Sequence, residues 1–419
     1  MSCGITVSEP LSTMSGTRAA MPKGRSLPRA AVNVSWGDVE DRPRPSVGGQ
    51  RLAHYASFRS TPRGDWFSAL FGFHEGSYEE TQRLISILPD ENNPGSLVMT
   101  GKNGKTYKVG RFSTDSLSEL EERAKAVGGI GTLPGKLKVR NVRGEVSWFI
   151  GDPENKYATF QVASQFNCLE YTHPYASPEC GVTGYIHDRT QGPACSIACG
   201  PATVYRNYFA EVGGQVGQRR DRQLDNLQDL SRMLGNEPGG RFFRMEGGYT
   251  LATEQGLRAL SAELGCMSED RRQDLRRALR VGVHRDAQVT STDWGSCPLE
   301  CADQLVTQVF GSACSVTYSG NDPCLWEPFA RLVLSASYEA TLWAALLSAM
   351  RHGGRGGSKR VFLTCLGGGV FGNETRWITE AMHEALSKFE DCGLEVFIVT
   401  YSGPLHQRLL RLEQDFGGN

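Results

Sequence analysis

The second half of the chain alternates short apolar runs with longer amphipathic ones. Continuous apolar runs at residues 360–366 and 394–401 are typical of strands buried on both faces. Between Trp326 and Arg351, apolar side chains recur every three or four residues and predict a long helix whose buried stripe belongs to the core. A second helix is predicted with an apolar face from Ile378 to Phe389. Strands that alternate with long helices predict an α/β fold, in which a largely parallel sheet carries helices on both faces.

The pattern before about residue 145 is different and predicts an N-terminal α+β extension. A helical pattern over Tyr78 to Ile87 precedes SLVMT, the turn KNGK and TYKVGRF at residues 96–112. Strand, Asn-Gly turn and strand together form a hairpin pattern. We therefore divide the chain into a disordered leader (1–50), the extension (51–145), the main α/β domain (146–405) and a C-terminal tail (406–419).

Residues 1–50 are rich in Ser, Pro, Gly and Arg and poor in acids, a composition that cannot bury enough surface to fold. Transit peptides share this composition, so organelle targeting stays open beside a cytoplasmic location. No apolar run is predicted to be long enough to cross a bilayer. Further along, residues 219–234 mix both charge signs around a stripe of leucines and predict a solvated amphipathic helix.

The charge balance indicates a small, specific partner rather than a nucleic acid or a membrane. Forty-five basic and 46 acidic side chains leave a formal net charge of -1. The 12 cysteines lie in apolar segments, which is typical of reduced thiols. The pairs Cys195/Cys199 and Cys297/Cys301 could supply thiolates to zinc, but they lack the tighter CxxC spacing of structural zinc sites, and we expect no metal.

The most informative segment runs from Val361 to Met382, where the glycine-rich sequence GGGVFGN stands between a predicted strand and a predicted helix. Glycines allow backbone N–H groups to approach an anion closely, and the start of a helix adds a partial positive charge. Phosphate binding is therefore predicted here, since open α/β sheets bind ligands at the carboxyl ends of strands. The alternative is that the glycines only make a tight turn.

The same letters satisfy GxGxxG, but their position disfavours a dinucleotide-binding domain. That motif opens a βαβ unit and expects an acid at the end of the next strand, whereas Glu390 and Asp391 precede the next strand. The stretch GGRGGSK at residues 353–359 lacks GK[ST] and precedes a strand, so a phosphate-binding P-loop is not predicted there.

Two further segments carry candidate polar groups. QVASQFN at residues 161–167 ends a predicted strand, and its Gln165 and Asn167 could bond ribose hydroxyls. In VGVHRDAQV at residues 281–289, alternation places the three valines and Ala287 on one face and Asp286 on the other. Asp286, Asp293 and Asp303 could hold a guanidinium or act in glycosidic cleavage, although each could equally be a cap or turn residue.

Together, QVASQFN and GGGVFGN resemble the macrodomain fold, which binds ADP-ribose, and in particular the divergent macrodomains of bacterial effectors that remove ADP-ribose from arginine. The resemblance covers residues 160–401 and implies a three-layer macrodomain-like sheet. It departs from the family in the first loop, where CGVTGY at residues 180–185 replaces a run of glycines, so adenine contacts cannot be assigned.

The resemblance also implies roles for residues. Asn167, with Gln165 and Phe166 beside it, would contact the distal ribose, and Phe371 would pack near the same sugar. The diphosphate would be held by Gly367, Gly368, Gly369, Val370, Phe371, Gly372 and Asn373. In the arginine-directed members, acidic residues ahead of the last helices are implicated in catalysis, which here would be Asp286, Asp293 and Asp303.

We therefore expect an ADP-ribosylhydrolase that acts on ADP-ribose or ADP-ribosylated protein, with arginine as the expected linkage, without a metal or cofactor. The alternatives are a binding module that recognises ADP-ribose or a related nucleotide without cleaving it and, disfavoured by motif position, an NAD-dependent oxidoreductase. The sequence leaves the oligomeric state open.

Overall fold

The computed structural model describes residues 65–237 and 239–417, so the predicted leader over residues 1–50 lies outside the described residues. The strands are β1 (Ser86–Pro89), β2 (Leu97–Thr100), β3 (Thr106–Ser116), β4 (Lys138–Arg143), β5 (Thr159–Ala163), β6 (Glu211–Val212), β7 (Gln215–Val216), β8 (Arg244–Glu246), β9 (Tyr249–Leu251), β10 (Arg280–Gln288), β11 (Ser291–Thr292), β12 (Cys297–Pro298), β13 (Leu305–Gly311), β14 (Arg360–Leu363) and β15 (Glu395–Thr400). The helices are α1 (Trp66–Phe71), α2 (Tyr78–Leu84), α3 (Leu117–Ala126), α4 (Val146–Gly151), α5 (Gln191–Ala198), α6 (Gly200–Tyr208), α7 (Gln228–Met233), α8 (Glu254–Cys266), α9 (Glu269–Ala278), α10 (Pro323–Arg351), α11 (Thr375–Lys388) and α12 (Gln407–Phe416).

A mixed nine-stranded sheet, in the order β1-β2-β3-β10-β13-β5-β14-β15-β4, organises the described residues. Strands β13, β5, β14, β15 and β4 are parallel neighbours, whereas β10, β3, β2 and β1 continue the sheet in antiparallel pairs. The carboxyl ends of β13, β5 and β14 therefore meet at one edge of the sheet, which we call the carboxyl edge. Their amino ends meet at the opposite edge, the amino edge.

Helices cover both faces of this sheet, which confirms the predicted three-layer α/β fold. In β14 the side chains of Val361 and Leu363 enter the core beneath α10 and α11, while Phe362 enters the core beneath α4 and α5. In β15, Ile398 belongs to the core beneath α10 and α11, and Phe397 belongs to the core beneath α4 and α5. This alternation follows from the period of two in a strand, and both faces are apolar because both are covered.

Helix α10 confirms the predicted long helix and lies in the centre of the larger core. Asp322 caps it, accepting a hydrogen bond from the backbone N–H of Cys324 at 2.9 Å, and Pro323 occupies its first turn. By length and composition alone this helix could cross a membrane, contrary to the expectation that no apolar run is long enough. Because 94% of its most apolar 18-residue window is buried inside the protein, it is a core helix.

Strands from the predicted extension belong to the same sheet as the later strands. The predicted hairpin is confirmed, with β2 paired antiparallel to β3 from Leu97 opposite Gly110 to Thr100 opposite Thr106. The second half of β3 then pairs with β10, and β4 is the outermost strand on the other side of the sheet, beside β15. Residues 65–145 thus extend both ends of one sheet.

Strand β10 contains a bulge that the alternation pattern does not anticipate. Its register with β13 shifts between His284 and Ala287, and Asp286 takes a φ of 56°. The extra residue moves the valines at 281 and 283 into one core, and Ala287 and Val289 into the other. The prediction that these four side chains share a face is therefore wrong. Gly110 permits the bulge, since a Cβ there would lie 2.1 Å from the Arg285 carbonyl oxygen.

The prediction of a helix over residues 219–234 is also wrong for its first half, because only α7 (Gln228–Met233) is helical there. Residues 218–227 instead form turns in which side chains replace helical hydrogen bonds. Gln218 Oε1 accepts from the Leu224 N–H at 3.0 Å, and Asp225 Oδ1 accepts from the Leu227 N–H at 2.8 Å.

Candidate functional site

The loops that follow β5, β13 and β14 lie together at the carboxyl edge. Asn373, after β14, donates through Nδ2 to the Cys314 carbonyl oxygen at 2.8 Å. Thr317, after β13, donates from its backbone N–H to the Phe371 carbonyl oxygen at 3.2 Å and from its hydroxyl to the Val370 carbonyl oxygen at 2.6 Å. These bonds hold residues 367–373, the glycine loop, against the loop after β13.

Two glycines of this loop are required by its shape. Gly367 and Gly372 have φ values of 66° and 74°, in the left-handed region that other residues rarely adopt. A Cβ at Gly372 would also lie 2.3 Å from Thr317 Cγ2, and one at Gly367 would lie 2.5 Å from Asn373 Nδ2. These two positions support the interpretation of the glycines as turn formers.

The middle of the glycine loop has a different property. The N–H groups of Gly368, Gly372 and Asn373 donate within the loop region, to Cys365, Gly369 and Gly367 respectively. Within the described residues, those of Gly369, Val370 and Phe371 donate to no protein acceptor. A Cβ at Gly369 would meet nothing within 4 Å, and Val370 is 62% exposed. Three consecutive N–H groups are thus available in an open part of the loop.

Helix α11 begins directly after this loop, at Thr375. Its N-cap residue, Glu374, makes no side-chain capping bond, and the first N–H with a helical partner is that of Ile378, which donates to the Glu374 carbonyl oxygen at 3.1 Å. The partial positive charge at the start of a helix is therefore not neutralised by a cap. The free loop N–H groups and this helix terminus together suit an anion such as a diphosphate.

Three aromatic rings border the glycine loop and form a cluster that we call the aromatic trio. The ring centroid of Tyr249 lies 5.3 Å from that of Phe371 and 4.9 Å from that of Tyr318, and Tyr318 lies 5.6 Å from Phe371. The Tyr249 hydroxyl donates to the Tyr171 carbonyl oxygen, which ties the β8–β9 hairpin to the loop after β5. Tyr249 and Phe371 are buried and Tyr318 is half-buried, so Tyr318 is the accessible ring of the trio.

Two carboxyl groups, Glu170 and Asp188, belong to the same region. The pKa of Tyr249 is raised by burial and further by its neighbours, Glu170 and Asp188 among them, and Asp188 also contributes to the raised pKa of Tyr318. Burial raises the pKa of Asp188 itself, although the Thr190 N–H donates to its carboxylate at 3.2 Å.

Glu170 is 2% exposed, and its Oε1 has no hydrogen-bond partner among the described residues. Burial raises the pKa of its carboxyl well above the usual range, and the charge of Asp188 adds to the rise. A Cβ at Gly192, in the first turn of α5, would lie 2.2 Å from Glu170 Oε2, so this carboxyl occupies the space of a side chain at position 192. A carboxyl that retains its proton is the kind of group that acts as a general acid.

The fully buried Arg206 holds the backbone beside Glu170 in place. Its guanidinium donates to the Cys168 carbonyl oxygen at 3.1 Å and to the hydroxyls of Ser196 and Thr203 at 3.1 and 3.0 Å. None of the described carboxylates forms an ion pair with it. Its charge lowers the pKa of Glu170, but burial has the larger effect and the net shift is upward.

Of the residues predicted after β5, the two amides use their polar atoms inside the protein. Gln165 exchanges two hydrogen bonds with the backbone of Tyr171, at 2.9 and 3.1 Å. Asn167 donates to Gln223 Oε1 at 2.7 Å and accepts from the Leu169 N–H at 3.0 Å. Phe166 is buried in the larger core. These three residues shape the loop that carries Glu170, and their contact with a ribose stays a prediction.

The structure does not bring Asp286, Asp293 and Asp303 together. Asp286 accepts from His352 at 2.9 Å near the end of α10, on the amino edge. Asp293 accepts from the indole N–H of Trp148 and from the Cys297 thiol at 3.3 Å. Asp303 is exposed and pairs with Lys108 at 2.8 Å. Each carboxylate has its own partners, and none of them contacts the glycine loop.

The cysteine pairs considered for zinc are free thiols, and no group of three metal-ligating side chains occurs within residues 65–237 and 239–417. Burial raises the pKa of Cys195, and that of Cys199 to about 12, which disfavours the thiolate form that zinc requires.

Sequence reasoning missed Glu170, Asp188, Tyr249 and Tyr318. Glu170 and Asp188 lie in the two segments flanking CGVTGY, three residues after Asn167 and three before Gln191, so a search for acids near strand ends could have found them. Nothing local indicates that the β8–β9 hairpin reaches the glycine loop, because that contact joins residues more than one hundred positions apart.

No family model and no curated protein matches the chain. Among solved structures, the chain is similar to poly(ADP-ribose) glycohydrolase from Thermomonospora curvata bound to the inhibitor ADP-HPD, with 13% identity, a TM-score of 0.36, and coverage of 76% of this chain and 93% of that one. It is also similar to poly(ADP-ribose) glycohydrolase from Deinococcus radiodurans in complex with ADP-ribose, with 12% identity, a TM-score of 0.38, and coverage of 73% and 94%. At such low identities and TM-scores, the likeness does not assign an activity to this chain.

Proposed function

We propose that the chain binds ADP-ribose at the carboxyl edge, with the diphosphate on the glycine loop. The observation that carries this proposal is the run of three N–H groups, from Gly369 to Phe371, that donate to no acceptor in the described protein and lie ahead of the uncapped start of α11. Backbone donors at a helix start bind phosphate oxygens through hydrogen bonds and the helix dipole. The half-buried ring of Tyr318, packed against Tyr249 and Phe371, offers a surface for the sugar or the base.

The variant Gly369→Val tests the proposal directly. Gly369 has no left-handed φ and its Cβ would enter open space, so valine fits the fold and adds bulk in the part of the loop that carries the free N–H groups. We expect ADP-ribose affinity, measured by calorimetric titration, to fall at least about tenfold, a loss of roughly 1.4 kcal/mol. The melting temperature should not change.

Gly265→Val, in the exposed last turn of α8, is the matched control, because a Cβ there also meets nothing within 4 Å. It should bind ADP-ribose like the unmodified protein. Equal affinity in Gly369→Val and in the unmodified protein would leave the glycine loop as a structural turn only.

A second candidate function, hydrolysis of the ADP-ribosyl bond, is favoured by the raised pKa of Glu170. In this mechanism the Glu170 carboxyl donates its proton to the leaving nitrogen or oxygen as the bond to the anomeric carbon breaks. Water then adds to that carbon, and its proton returns to the Glu170 carboxylate. Glu170 thus takes the catalytic role that sequence reasoning gave to the three aspartates.

The linkage that would be cleaved, including the arginine linkage suggested by the sequence resemblance, depends on the leaving group. Release of ADP-ribose from proteins modified at arginine, glutamate or serine, measured side by side, distinguishes these substrates. A protein that binds ADP-ribose but releases it from none of the three would be a binding module.

A further inference from the structure

A large cavity opens at the amino edge of the sheet, on the opposite side from the glycine loop. It encloses about 910 Å³, within the range of roughly 300–1,000 Å³ typical of ligand sites. Its walls are the face of β3 and β10 that lies beneath α10, the end of α10, and the loops before β4 and β14. The cavity shares no lining residue with the candidate site at the carboxyl edge.

One part of the cavity is strongly basic. Its charged lining residues are Arg111, Arg123, Arg285, Arg351, Lys359 and a single carboxylate, Asp115. That carboxylate is already shared, because Arg123 pairs with it at 2.7 Å and Arg285 at 2.6 Å. Arg111 and Arg285 lie directly opposite each other in the β3–β10 ladder, and like charges in that position repel.

Several of these cations retain donors without acceptors. Lys359 forms no ion pair or side-chain hydrogen bond within the described part of the chain. Arg111 uses Nε and one terminal nitrogen for the carbonyl oxygens of Gly95 and Pro94, at 2.9 and 2.7 Å, which leaves its other terminal nitrogen for a ligand. The pKa of Arg351 is lowered by burial and by the charges of Arg285 and Arg111, against the opposing effect of Asp286. An anion in the cavity would relieve this repulsion.

The remaining wall is apolar. It consists of side chains from α10 and from the segment between α3 and β4, namely Val127, Leu133, Pro134, Leu347 and Met350. Guanidinium and ammonium groups suit phosphate oxygens, and an apolar wall suits a base or another uncharged ring system. The two walls therefore fit a ligand with both parts.

We propose that this cavity is a second ligand site that binds a nucleoside di- or triphosphate, with the phosphates on the arginines and Lys359 and the base against the apolar wall. The site is independent of the glycine loop. In this second site the phosphates are bound by side-chain cations, whereas in the proposed ADP-ribose site they are bound by backbone N–H groups.

The test titrates ADP and ATP into the Gly369→Val variant, in which the glycine loop is blocked, and into Gly369→Val combined with Arg111→Gln and Lys359→Gln. Neither of these two cations pairs with a carboxylate, so their replacement leaves no buried charge unpaired. The matched control replaces Lys105 and Arg258, two exposed cations elsewhere, by glutamine in the same background. We expect one ADP or ATP per chain and a loss of at least tenfold in affinity with the cavity substitutions, but not with the control.

Two further measurements examine the two walls. Val127→Asp places a carboxylate at a 55% exposed lining position and should weaken ATP binding without lowering the melting temperature. Adenosine should not bind, and pyrophosphate should bind more weakly than ADP because it lacks the base.

Three results would overturn the proposal. The first is equal affinity for ATP in the cavity variant and the control. The second is pyrophosphate binding as tight as ADP binding. The third is a single-stranded oligonucleotide that binds more tightly than ATP and loses affinity with the same substitutions, which would identify a nucleic-acid surface instead.

Discussion

The two edges of the central sheet both suit anions, but they do so with different groups. At the carboxyl edge, the proposed donors are the free N–H groups of residues 369–371 and the start of α11, and the nearby acidic side chains are Glu170, whose pKa is raised, and Asp188. At the amino edge, the donors are arginines and Lys359. A formal net charge of -1 reveals neither site. In the two proposed sites, backbone donors would bind an anion beside carboxyl groups, whereas cationic side chains would bind one in a cavity lined by a single carboxylate, Asp115.

The two regions also differ in the protonation of their carboxyl groups. A carboxyl group that keeps its proton can protonate a leaving group, and Glu170, whose pKa is raised by burial, acts on the pKa of Tyr249 at the carboxyl edge. In and beside the basic cavity, the carboxylates of Asp115 and Asp286 lie next to cations, which lower their pKa values although burial opposes this. Those groups stay ionised and serve to hold the arginines.

The largest effect is expected from Glu170→Gln, which keeps the shape of the side chain but removes its proton-donating carboxyl. Release of ADP-ribose from modified protein should fall by roughly 10²- to 10⁴-fold, the usual contribution of general acid catalysis. ADP-ribose affinity should be retained, since the diphosphate is bound elsewhere. The measurements are a release assay and a titration on the same preparation.

Asp286→Asn provides the control at the amino edge, because it changes a half-buried carboxylate to its amide in the same way. It should release ADP-ribose at the rate of the unmodified protein. If Asp286→Asn abolished release and Glu170→Gln did not, the chemistry would belong to the aspartates and not to the carboxyl edge.

An intermediate effect is expected from salt. Raising the ionic strength from about 0.1 M to about 1 M shortens the Debye length from about 10 Å to about 3 Å and screens partly exposed cations. ATP affinity at the amino edge should fall by about tenfold, whereas ADP-ribose affinity at the carboxyl edge should fall less, since hydrogen bonds from the backbone carry most of it. Parallel salt titrations compare the two slopes, and identical slopes would contradict the division into side-chain and backbone sites.

The smallest effect concerns stability and pH. Because the folded protein raises the pKa of Glu170, its protonated carboxyl contributes stability that is fully present below the usual glutamate pKa of about 4.3 and is lost as the pH rises through the folded value. Glu170→Gln has no such proton to lose. The free energy of unfolding of both proteins is measured in denaturant across the pH range. Between the unfolded and the folded pKa of Glu170, the value for Glu170→Gln should rise relative to that of the unmodified protein by about 1.4 kcal/mol per pH unit.

The other titrating groups are common to both proteins, so the difference between the two curves isolates Glu170. Curves that stay parallel at every pH would show that this carboxyl is ionised throughout, which would remove the basis for its acid role.

The sequence by itself determined the elements with a strong period and the loop with unusual glycines. Helix α10, strands β14 and β15, and the β2–β3 hairpin follow from hydrophobic spacing and an Asn-Gly turn, because these signals are local. The position of GGGVFGN between a strand and a helix fixed the place of the glycine loop for the same reason. The prediction from local spacing failed at β10. A bulge there, with Gly110 opposite it, moves the side chains after the bulge to the other face of the sheet.

Only the tertiary structure decided which polar groups share a site. The three aspartates between residues 286 and 303 are close in sequence, yet each has separate partners, since strand β10, the bulge and the following turns direct them to different surroundings. Glu170, Asp188, Tyr249 and Phe371 come together because parallel strands bring distant loops to one edge and burial then shifts the pKa values. The basic cavity likewise joins β3, β10 and the end of α10, which no local pattern connects. Strand order and burial are properties of the packed chain, and the sequence pattern carries no direct signal for them.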